Sequence, residues 1–207
     1  MNKILELGDY DYELPKCLIA QDPMKRRSDS RVLEVFSDDS NLHKNNNTFE
    51  KEVLNEFTFS KIAEKLQQND LLIFNNSKVI PARLSCLKET GSKVEVFVVE
   101  ELTNKGVGNF LCSALIKPLK KVTYGKKLKI IGSNNFIEIL GRDKNKPQQS
   151  IVKTSFPISK ILDEYGEVPL PPYIKRQVKH SDSKRYQNIF AKSPGSIAAP
   201  TAGLHFD

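Results

Sequence analysis

The sequence has no tryptophan, two methionines, three histidines and three cysteines among its 207 residues. Cys17, Cys86 and Cys112 form no CxxC pair, and three histidines are too few for a zinc site, so a disulfide framework and a structural metal are both disfavoured. No apolar run approaches the length that a transmembrane helix needs. The N-terminal stretch carries acids where a signal peptide has its apolar core. These absences predict a cytoplasmic protein with reduced thiols, no metal and no membrane segment.

Charge is unevenly distributed along the chain. The formal net charge is +7, but residues 1–100 carry 14 Lys/Arg against 17 Asp/Glu, whereas residues 101–207 carry 18 against 8. A basic half of this kind is typical of a surface that binds a polyanion such as nucleic acid. A lysine-rich solvated surface without any partner is the competing interpretation, and charge alone does not decide between the two.

The first third of the chain has the pattern of a layered α/β unit. Residues 57–68 place apolar side chains on one helical face, with Ser60 as a suitable N-cap. Leu71 to Phe74 then predict a short buried strand. A helix followed by a buried strand is the order expected of stacked α and β layers.

The middle of the chain has a different pattern. Five short strand candidates, separated by turn residues, lie between Leu84 and Phe156 without a helical period among them. This pattern predicts a small, inserted, all-β barrel-like domain at residues 84–156. The flanking pieces, residues 1–82 and 157–207, are expected to form one larger α/β (α+β) domain that is incomplete in this chain.

The last fifty residues return to mixed structure. Residues 158–165 have a helical spacing, and Gly166 stands where a C′ glycine belongs. Three prolines exclude a helix from residues 168–176, so this segment must be extended and present Tyr173 and Arg176.

Two basic clusters are candidates for phosphate binding. Residues 23–31 place four cations around two serines, and arginine forks match phosphate oxygens. Six lysines without an acid lie between residues 117 and 129, which suits a surface that tracks a nucleic-acid backbone. The alternatives are a solvated turn in which Arg31 pairs with an acid, and edge-strand lysines that prevent aggregation.

Two polar segments are candidates for a catalytic site. Asn75 follows the predicted buried strand, at the place where α/β sheets bind ligands, although Asn-Asn-Ser is also ordinary turn chemistry. Small residues between Gly195 and Gly203 allow backbone amides to approach a ligand closely. His205 follows them in a setting suited to proton transfer or hydrogen bonding. A purely structural histidine is the alternative.

Six collinear segments carry a resemblance to a known family. They are DYELPKCLIAQDP (11–23), RRSDSRVLEV (26–35), NDLLIFNNSKVIPARL (69–84), TGSKVEVFV (90–98), GEVPLPPYIKR (166–176) and RYQNIFAKSPGSIAAPTAGLHF (185–206). With these motifs the sequence resembles the N-terminal part of the S-adenosylmethionine:tRNA ribosyltransferase-isomerases of queuosine biosynthesis.

The resemblance implies a specific reaction. The ribosyl moiety of S-adenosylmethionine would be transferred and isomerised onto 7-aminomethyl-7-deazaguanine at the tRNA wobble position, giving epoxyqueuosine and releasing adenine and methionine. S-adenosylmethionine is then a consumed substrate, no metal is needed, and the partner is tRNA carrying the modified base. A monomeric, cytoplasmic, RNA-binding transferase is expected.

The resemblance also implies roles for individual residues where the motifs match. The expected catalytic residues are His205, Thr201 and Asn75, with His205 as the first candidate for the general base. The expected contacts to S-adenosylmethionine are Gly203, Ala202, Tyr186, Gln187 and Tyr173. The expected tRNA contacts are Arg26, Arg31, Arg83, Arg176, Lys120, Lys121, Lys126 and Lys127.

The sequence departs from the family in length. Family members continue well beyond the GLHF motif, and the segments that follow it in them are absent here. The expectation is therefore a truncated chain, and the alternative function is a catalytically inactive tRNA-binding fragment.

Overall fold

The computed structural model describes residues 6–35, 54–102, 110–119 and 122–207. Within these ranges the chain forms two short α-helices, several 3-10 helices and ten strands. The helices are α1 (Ile158–Tyr165) and α2 (Asp182–Arg185). The strands are β1 (Arg31–Val35), β2 (Leu54–Thr58), β3 (Ser77–Val79), β4 (Arg83–Leu87), β5 (Lys93–Leu102), β6 (Phe110–Lys117), β7 (Lys127–Ile130), β8 (Phe136–Arg142), β9 (Ser150–Thr154) and β10 (Ser193–Ser196).

Six of the strands close into an antiparallel barrel in the order β4-β5-β6-β9-β8-β7. Their side chains alternate between the interior and solvent, as in β5, where Val94, Val96 and Val98 are buried. Closure leaves no open edge, which is how a small all-β unit avoids unpaired backbone groups. The predicted small barrel is confirmed.

Helix α1 covers one side of the barrel. Ile158, Ile161 and Leu162 are buried and belong to the same apolar core as the barrel interior. The helix has the predicted bounds, and Gly166 ends it with an N–H that donates to Leu162 O at 2.8 Å. The reason for glycine differs from the predicted left-handed cap, because φ is −79°. A Cβ at Gly166 would instead overlap Pro81 O and Leu162 O.

The remainder of the chain is less regular. β1 and β2 pair antiparallel, and β3 and β10 pair parallel, each as a two-stranded sheet. A bridge between Arg83 and Glu167, with N–H to O distances of 3.2 and 2.8 Å, joins the two points where the chain enters and leaves the barrel region. The larger α/β domain expected from the sequence is not confirmed by these elements.

Two local predictions in this part are wrong. The segment predicted as one α-helix over residues 57–68 is the end of β2 followed by a 3-10 helix, Phe59–Lys65, whose N-cap is Thr58 rather than Ser60. Leu66, on its apolar side, is 42% exposed. An amphipathic segment gains most of its helical stability from a packed apolar face, and this face has little to pack against.

The second wrong prediction is the buried strand over residues 71–74. These residues have no regular secondary structure, and all four side chains are exposed. A strand needs a neighbour to pair its backbone groups, and the described part of the chain supplies none. In the described ranges, no helix is both long enough and apolar enough to cross a lipid bilayer.

Candidate active site

Arg27 ties the C-terminal segment to the rest of the molecule. Its Nη1 donates to Leu204 O at 3.0 Å, within the 3-10 helix Thr201–His205, and its Nη2 donates to Lys184 O at 2.9 Å in α2. Desolvation lowers the pKa of this guanidinium, with a further contribution from the nearby Arg185. One side chain therefore fixes both the segment that carries His205 and the helix that precedes Tyr186.

Ser28 reinforces this connection. Its backbone N–H and its hydroxyl both donate to Asp207 Oδ2, at 3.3 and 2.9 Å, and Ser28 is buried. The two hydrogen bonds lower the pKa of the Asp207 carboxyl. The basic block predicted to bind phosphate thus also contacts the end of the chain, through Arg27 and Ser28.

An aromatic cluster lies beneath the same segment. The ring of Phe206 is 4.8 Å from Phe59, 5.3 Å from Phe74 and 5.4 Å from Phe190, between centroids. The His205 ring lies 5.4 Å from that of Phe59 and is half-buried. Within the described residues no hydrogen bond engages the His205 imidazole, so its two nitrogens face no protein partner there.

Asn188 joins two segments that the sequence predicted to meet. Its side chain is buried, and its Nδ2 donates to Asn75 O at 3.0 Å. A Cβ on Gly203 would lie 3.0 Å from Asn188 Cβ, so the absence of a side chain at Gly203 permits this close packing. Among the described residues Asn188 Oδ1 has no hydrogen-bond partner. Sequence reasoning missed Asn188, and its only signal was a polar residue between Gln187 and an apolar pair.

Asn75 itself has a local role. Its Oδ1 accepts a hydrogen bond from the Ser77 N–H at 2.7 Å, which is an Asx turn. The residue is exposed, and its carbonyl is the group that Asn188 binds. Asn75 therefore forms an ordinary Asx turn in this structure. Its contact with Asn188, which packs on Gly203, brings Asn75 close to Gly203.

The side-chain amide of Gln187 pairs with the backbone of β3, as a neighbouring strand would. Its Oε1 accepts from Val79 N at 2.9 Å, and its Nε2 donates to Val79 O at 3.2 Å. Both halves of the amide are thereby engaged with β3. The neighbouring Tyr186 is half-buried, whereas Thr201 and Ala202 are exposed.

Arg176 lies in a network of buried and surface charges. Its Nη1 and Nη2 bind the two carboxylate oxygens of Asp182 at 2.7 and 2.9 Å, and its Nε lies 3.0 Å from Asp22 Oδ1. The hydrogen bonds from Arg176 lower the pKa of Asp182, which is buried at the start of α2. Tyr173 is 49% exposed, and its carbonyl accepts from Gln21 Nε2 at 3.2 Å. Arg176 thus holds α2 in place in this structure.

The other predicted tRNA-binding arginines are dispersed. Arg26 is exposed, and Arg31 is exposed with its guanidinium 3.3 Å from Glu56. Arg83, at the start of β4, donates to Leu170 O at 3.3 Å. Arg26 lies near the Asp207 carboxyl and helps to lower its pKa, whereas Arg31 and Arg83 contact Glu56 and Leu170 instead.

The predicted lysine surface lies on the barrel. Lys126 is 3.6 Å from Glu89, and Lys127 is exposed on β7 opposite Glu138. Lys120 and Lys121 lie outside the described residues. The lysine surface that the structure describes is therefore partly neutralised by acids.

Two cavities lie away from these residues. One of about 420 Å³ opens at the barrel beside Lys129 and Tyr165, and another of about 400 Å³ lies between β5, α1 and Gly195. Of the predicted binding segments, the first cavity is lined by Lys129 and the second by Gly195, and none of the predicted catalytic residues lines either cavity. In the ranges that the structure covers, no group of three or more His, Cys, Asp or Glu side chains is arranged so that it could hold a metal ion.

The structure therefore brings together one group of predicted residues. Its links are the Asn188 contacts with Asn75 and Gly203, the Gln187 contact with β3, and the aromatic cluster under His205. This group forms an open surface that combines exposed small residues, an imidazole and aromatic rings. Such a surface can present backbone amides and one titratable group to a ligand.

Comparison with known proteins gives the family. A family model described as "Queuosine biosynthesis protein" matches residues 7–207. The chain is 40% identical to the S-adenosylmethionine:tRNA ribosyltransferase-isomerase of Polynucleobacter necessarius, over 98% of this chain and 54% of that relative. It is 42% identical to the protein of the same name from Legionella pneumophila (strain Lens), over 96% of this chain and 53% of the relative. The chain spans about half the length of the curated relatives it matches and corresponds to their N-terminal part.

Proposed function

Because the chain belongs to the queuosine biosynthesis protein family, we propose that it supplies the N-terminal part of a cytoplasmic S-adenosylmethionine:tRNA ribosyltransferase-isomerase. The proposed reaction transfers and isomerises the ribosyl moiety of S-adenosylmethionine onto 7-aminomethyl-7-deazaguanine at the tRNA wobble position. Epoxyqueuosine forms, and adenine and methionine leave. The observation that carries the proposal is the family match over residues 7–207.

The substrate chemistry requires a base close to the sulfonium. A sulfonium acidifies the hydrogens on the neighbouring C5′, so a positioned base can remove one of them. His205 is proposed for this task because its imidazole nitrogens face no hydrogen-bond partner in the described part of the chain, and because an imidazole is the side chain most often used for proton transfer near neutrality. The ring of Phe59 packs against the imidazole, with 5.4 Å between the two ring centroids, and so helps to hold its orientation.

The exposed turn around Thr201 to Gly203 is proposed to contact S-adenosylmethionine. Small residues let a ligand reach the backbone, and the Thr201 hydroxyl adds a donor and an acceptor. Tyr186 and the exposed Tyr173 are proposed to stack on or hydrogen-bond to a base. Gln187 would contribute by holding β3, since its amide already binds Val79.

The aminomethyl group of the modified base must be neutral to attack C1′. An ammonium loses its proton more easily where burial disfavours the charge. The aromatic cluster of Phe59, Phe74, Phe190 and Phe206 supplies an apolar wall beside His205. We propose that the amine approaches from this side, with the basic residues Arg26 and Arg31 and the barrel lysines along the path of the tRNA backbone.

The domain organisation is part of the proposal. Residues 1–82 and 157–207 would form one larger α/β domain, with the barrel of residues 84–156 inserted between them. The bridge between Arg83 and Glu167 supports this division, because it joins the segment that leads into the barrel to the segment that leads out of it.

A catalytically inactive tRNA-binding fragment is the second candidate. The observation that favours it is charge, because residues 101–207 carry 18 Lys/Arg against 8 Asp/Glu. Such a fragment would bind tRNA with an affinity that falls with salt, because phosphate contacts release counterions. It would release no adenine from S-adenosylmethionine.

The test joins this chain to the remaining part of the Legionella pneumophila relative as one polypeptide. The fusion is incubated with S-adenosylmethionine and tRNA carrying 7-aminomethyl-7-deazaguanine, and the nucleosides are analysed by mass spectrometry, with the whole relative as positive control. Epoxyqueuosine and free adenine are expected. A folded fusion that yields neither would contradict the enzymatic proposal. The chain alone, assayed in parallel, decides between activity and tRNA binding only.

The role of His205 is tested in the same fusion. His205→Asn keeps hydrogen bonding but cannot accept or donate the transferred proton, so turnover should fall about 10²–10⁴-fold with tRNA affinity little changed. Near-normal turnover in His205→Asn, combined with an unfolded His205→Ala, would assign His205 a structural role.

A further inference from the structure

Leu71 to Phe74 form an apolar segment that the described structure leaves uncovered. Leu71 and Ile73 are 83% and 85% exposed, whereas Leu72 and Phe74 are 51% and 40% exposed. The alternation has the period of a β-strand, in which successive side chains point to opposite faces. One face is partly covered, since the Phe74 ring lies 4.2 Å from Phe190, and the other face is open.

The backbone of this segment is also unpaired. Among the described residues no hydrogen bond joins the N–H or C=O groups of residues 71–74 to another segment. Unpaired backbone groups next to exposed apolar side chains form a template for pairing with another strand. The sequence pattern predicts a buried strand, whereas the segment is exposed. The two observations are compatible if the elements that pair with the segment and cover it lie outside the described residues.

The adjacent sheet is incomplete as well. β3 begins three residues after Phe74 and, within the described ranges, pairs with β10 alone, in parallel. Parallel strands occur almost exclusively in sheets with both faces covered by other elements. β10 is exposed over three of its four residues, and the other edge of β3 is held at Val79 by a side chain, that of Gln187.

The length of the relatives indicates what covers this surface. The match uses 98% of this chain but 54% of the Polynucleobacter necessarius protein, so nearly half of the family polypeptide lies outside the matched region. We propose that Leu71–Phe74 is a strand of the larger domain whose open face binds this remaining part of the family polypeptide, joined to the chain or supplied as a separate one. The inference rests on family membership and on the exposed surface, and is independent of the proposed reaction.

The experiment co-expresses this chain, carrying an affinity tag, with an untagged polypeptide that comprises the unmatched part of the Polynucleobacter necessarius relative. The two are expected to co-purify at a 1:1 ratio, measured by native mass spectrometry. Hydrogen exchange should show that the amides of residues 71–74 exchange rapidly in the chain alone and at least about tenfold more slowly in the complex, because strand pairing protects them.

A paired variant tests whether the open face is the contact. Leu71→Asp combined with Ile73→Asp should weaken the complex about 100-fold, because burying unpaired carboxylates is unfavourable. The free chain should unfold as before, since both side chains are almost fully exposed in it. Leu140→Asp, at an exposed position of β8 on the barrel, is the matched control and should leave the affinity unchanged.

Three results would overturn the proposal. The first is failure of the two polypeptides to co-purify. The second is a complex in which residues 71–74 exchange as fast as in the free chain, or in which the double variant binds normally. The third is protection of the same amides in the chain alone as its concentration is raised, which would assign the surface to a second copy. None of these measurements uses enzymatic activity, so the proposed reaction can fail while this inference stands.

Discussion

Gly166→Ala is a substitution for which the structure predicts a large loss of stability. Gly166 ends α1 at a point where the chain passes the backbone of Pro81. An alanine Cβ would overlap two carbonyl oxygens, Pro81 O and Leu162 O, and would lie 3.0 Å from Pro81 Cβ. The obstacles are backbone atoms, so no side chain can rotate away and the two segments must separate.

The size of the stability loss in Gly166→Ala follows from which two backbone segments must move apart. Overpacking in a well-packed region costs about 1–3 kcal/mol, and a clash with fixed backbone lies at the upper end. A loss of about 3 kcal/mol corresponds to a decrease in Tm of about 6–12 °C for a chain of this size. The next residue, Glu167, forms the bridge to Arg83, so the bridge should loosen and the amides of both residues should exchange faster.

The assay compares Gly166→Ala with Gly141→Ala by urea and thermal denaturation. Gly141 lies in β8, and a Cβ there would meet no atom within 4 Å. Its replacement should change stability by less than about 1 kcal/mol, because alanine mainly restricts the unfolded chain. Equal stabilities of the two variants, or an unchanged exchange rate at Glu167, would refute the close-approach explanation.

The ionisable groups give two further predictions. Hydrogen bonding to Arg176 lowers the pKa of Asp182 in the folded chain, so the pair stabilises the fold above the usual aspartate pKa of about 4, and this contribution is lost as the pH falls through the lowered value. Asp182→Asn should therefore unfold at lower urea than the parent at pH 7, and the deficit should shrink at pH 3; a deficit that is independent of pH would contradict this. Cys17 is exposed, whereas burial raises the pKa values of Cys86 and Cys112 to about 12. A thiol reagent should modify one cysteine in the native chain and all three in denaturant, and rapid native modification of all three would show that the barrel core opens.

The barrel and α1 could be predicted because the strands and the helix that bury one another all lie within one stretch of the chain, residues 83–165. Alternation along β5 places Val94 and Val96 inward, and the partners of β5 lie in β4 and β6, its neighbours along the chain. Helix α1 packs its apolar side on the same core. Here the sequence pattern, the pairing partner and the buried face all belong to one continuous stretch, so the pattern is sufficient.

The segments at residues 57–68 and 71–74 show why the rest could not be predicted. Their patterns are those of a helix and a buried strand, but each pattern needs a second layer to become favourable. The described part of this chain offers none, so one segment forms a 3-10 helix and the other has no regular structure. The sequence pattern shows which face of a segment is apolar. Whether that face is buried depends on a second segment that is remote in the sequence.

The same distinction applies to the candidate site. The motifs predicted His205, Gly203 and Asn75, which lie in one region. They gave no hint of Asn188, and they predicted Arg27 only as part of a phosphate-binding cluster, since the structural roles of both depend on contacts 177 and 113 residues away along the chain, with Leu204 O and Asn75 O. A motif identifies residue types, but only the fold shows which distant backbone carbonyl a side chain binds.

The hydrogen bonds already made by each candidate side chain distinguish residues that can bind a ligand from residues that stabilise neighbouring elements. Gln187 uses both amide atoms on Val79, and Arg176 uses its guanidinium on Asp182. A ligand that bound either side chain would first have to break those bonds, and breaking a charge-assisted or buried hydrogen bond costs more than an exposed one. His205 has no such bond among the described residues, and Thr201 is exposed. The side chains of His205, Thr201, Tyr173 and Tyr186 make no hydrogen bond among the described residues, so they can meet the proposed ligand without losing one, whereas Gln187 and Arg176 hold in place β3 and α2.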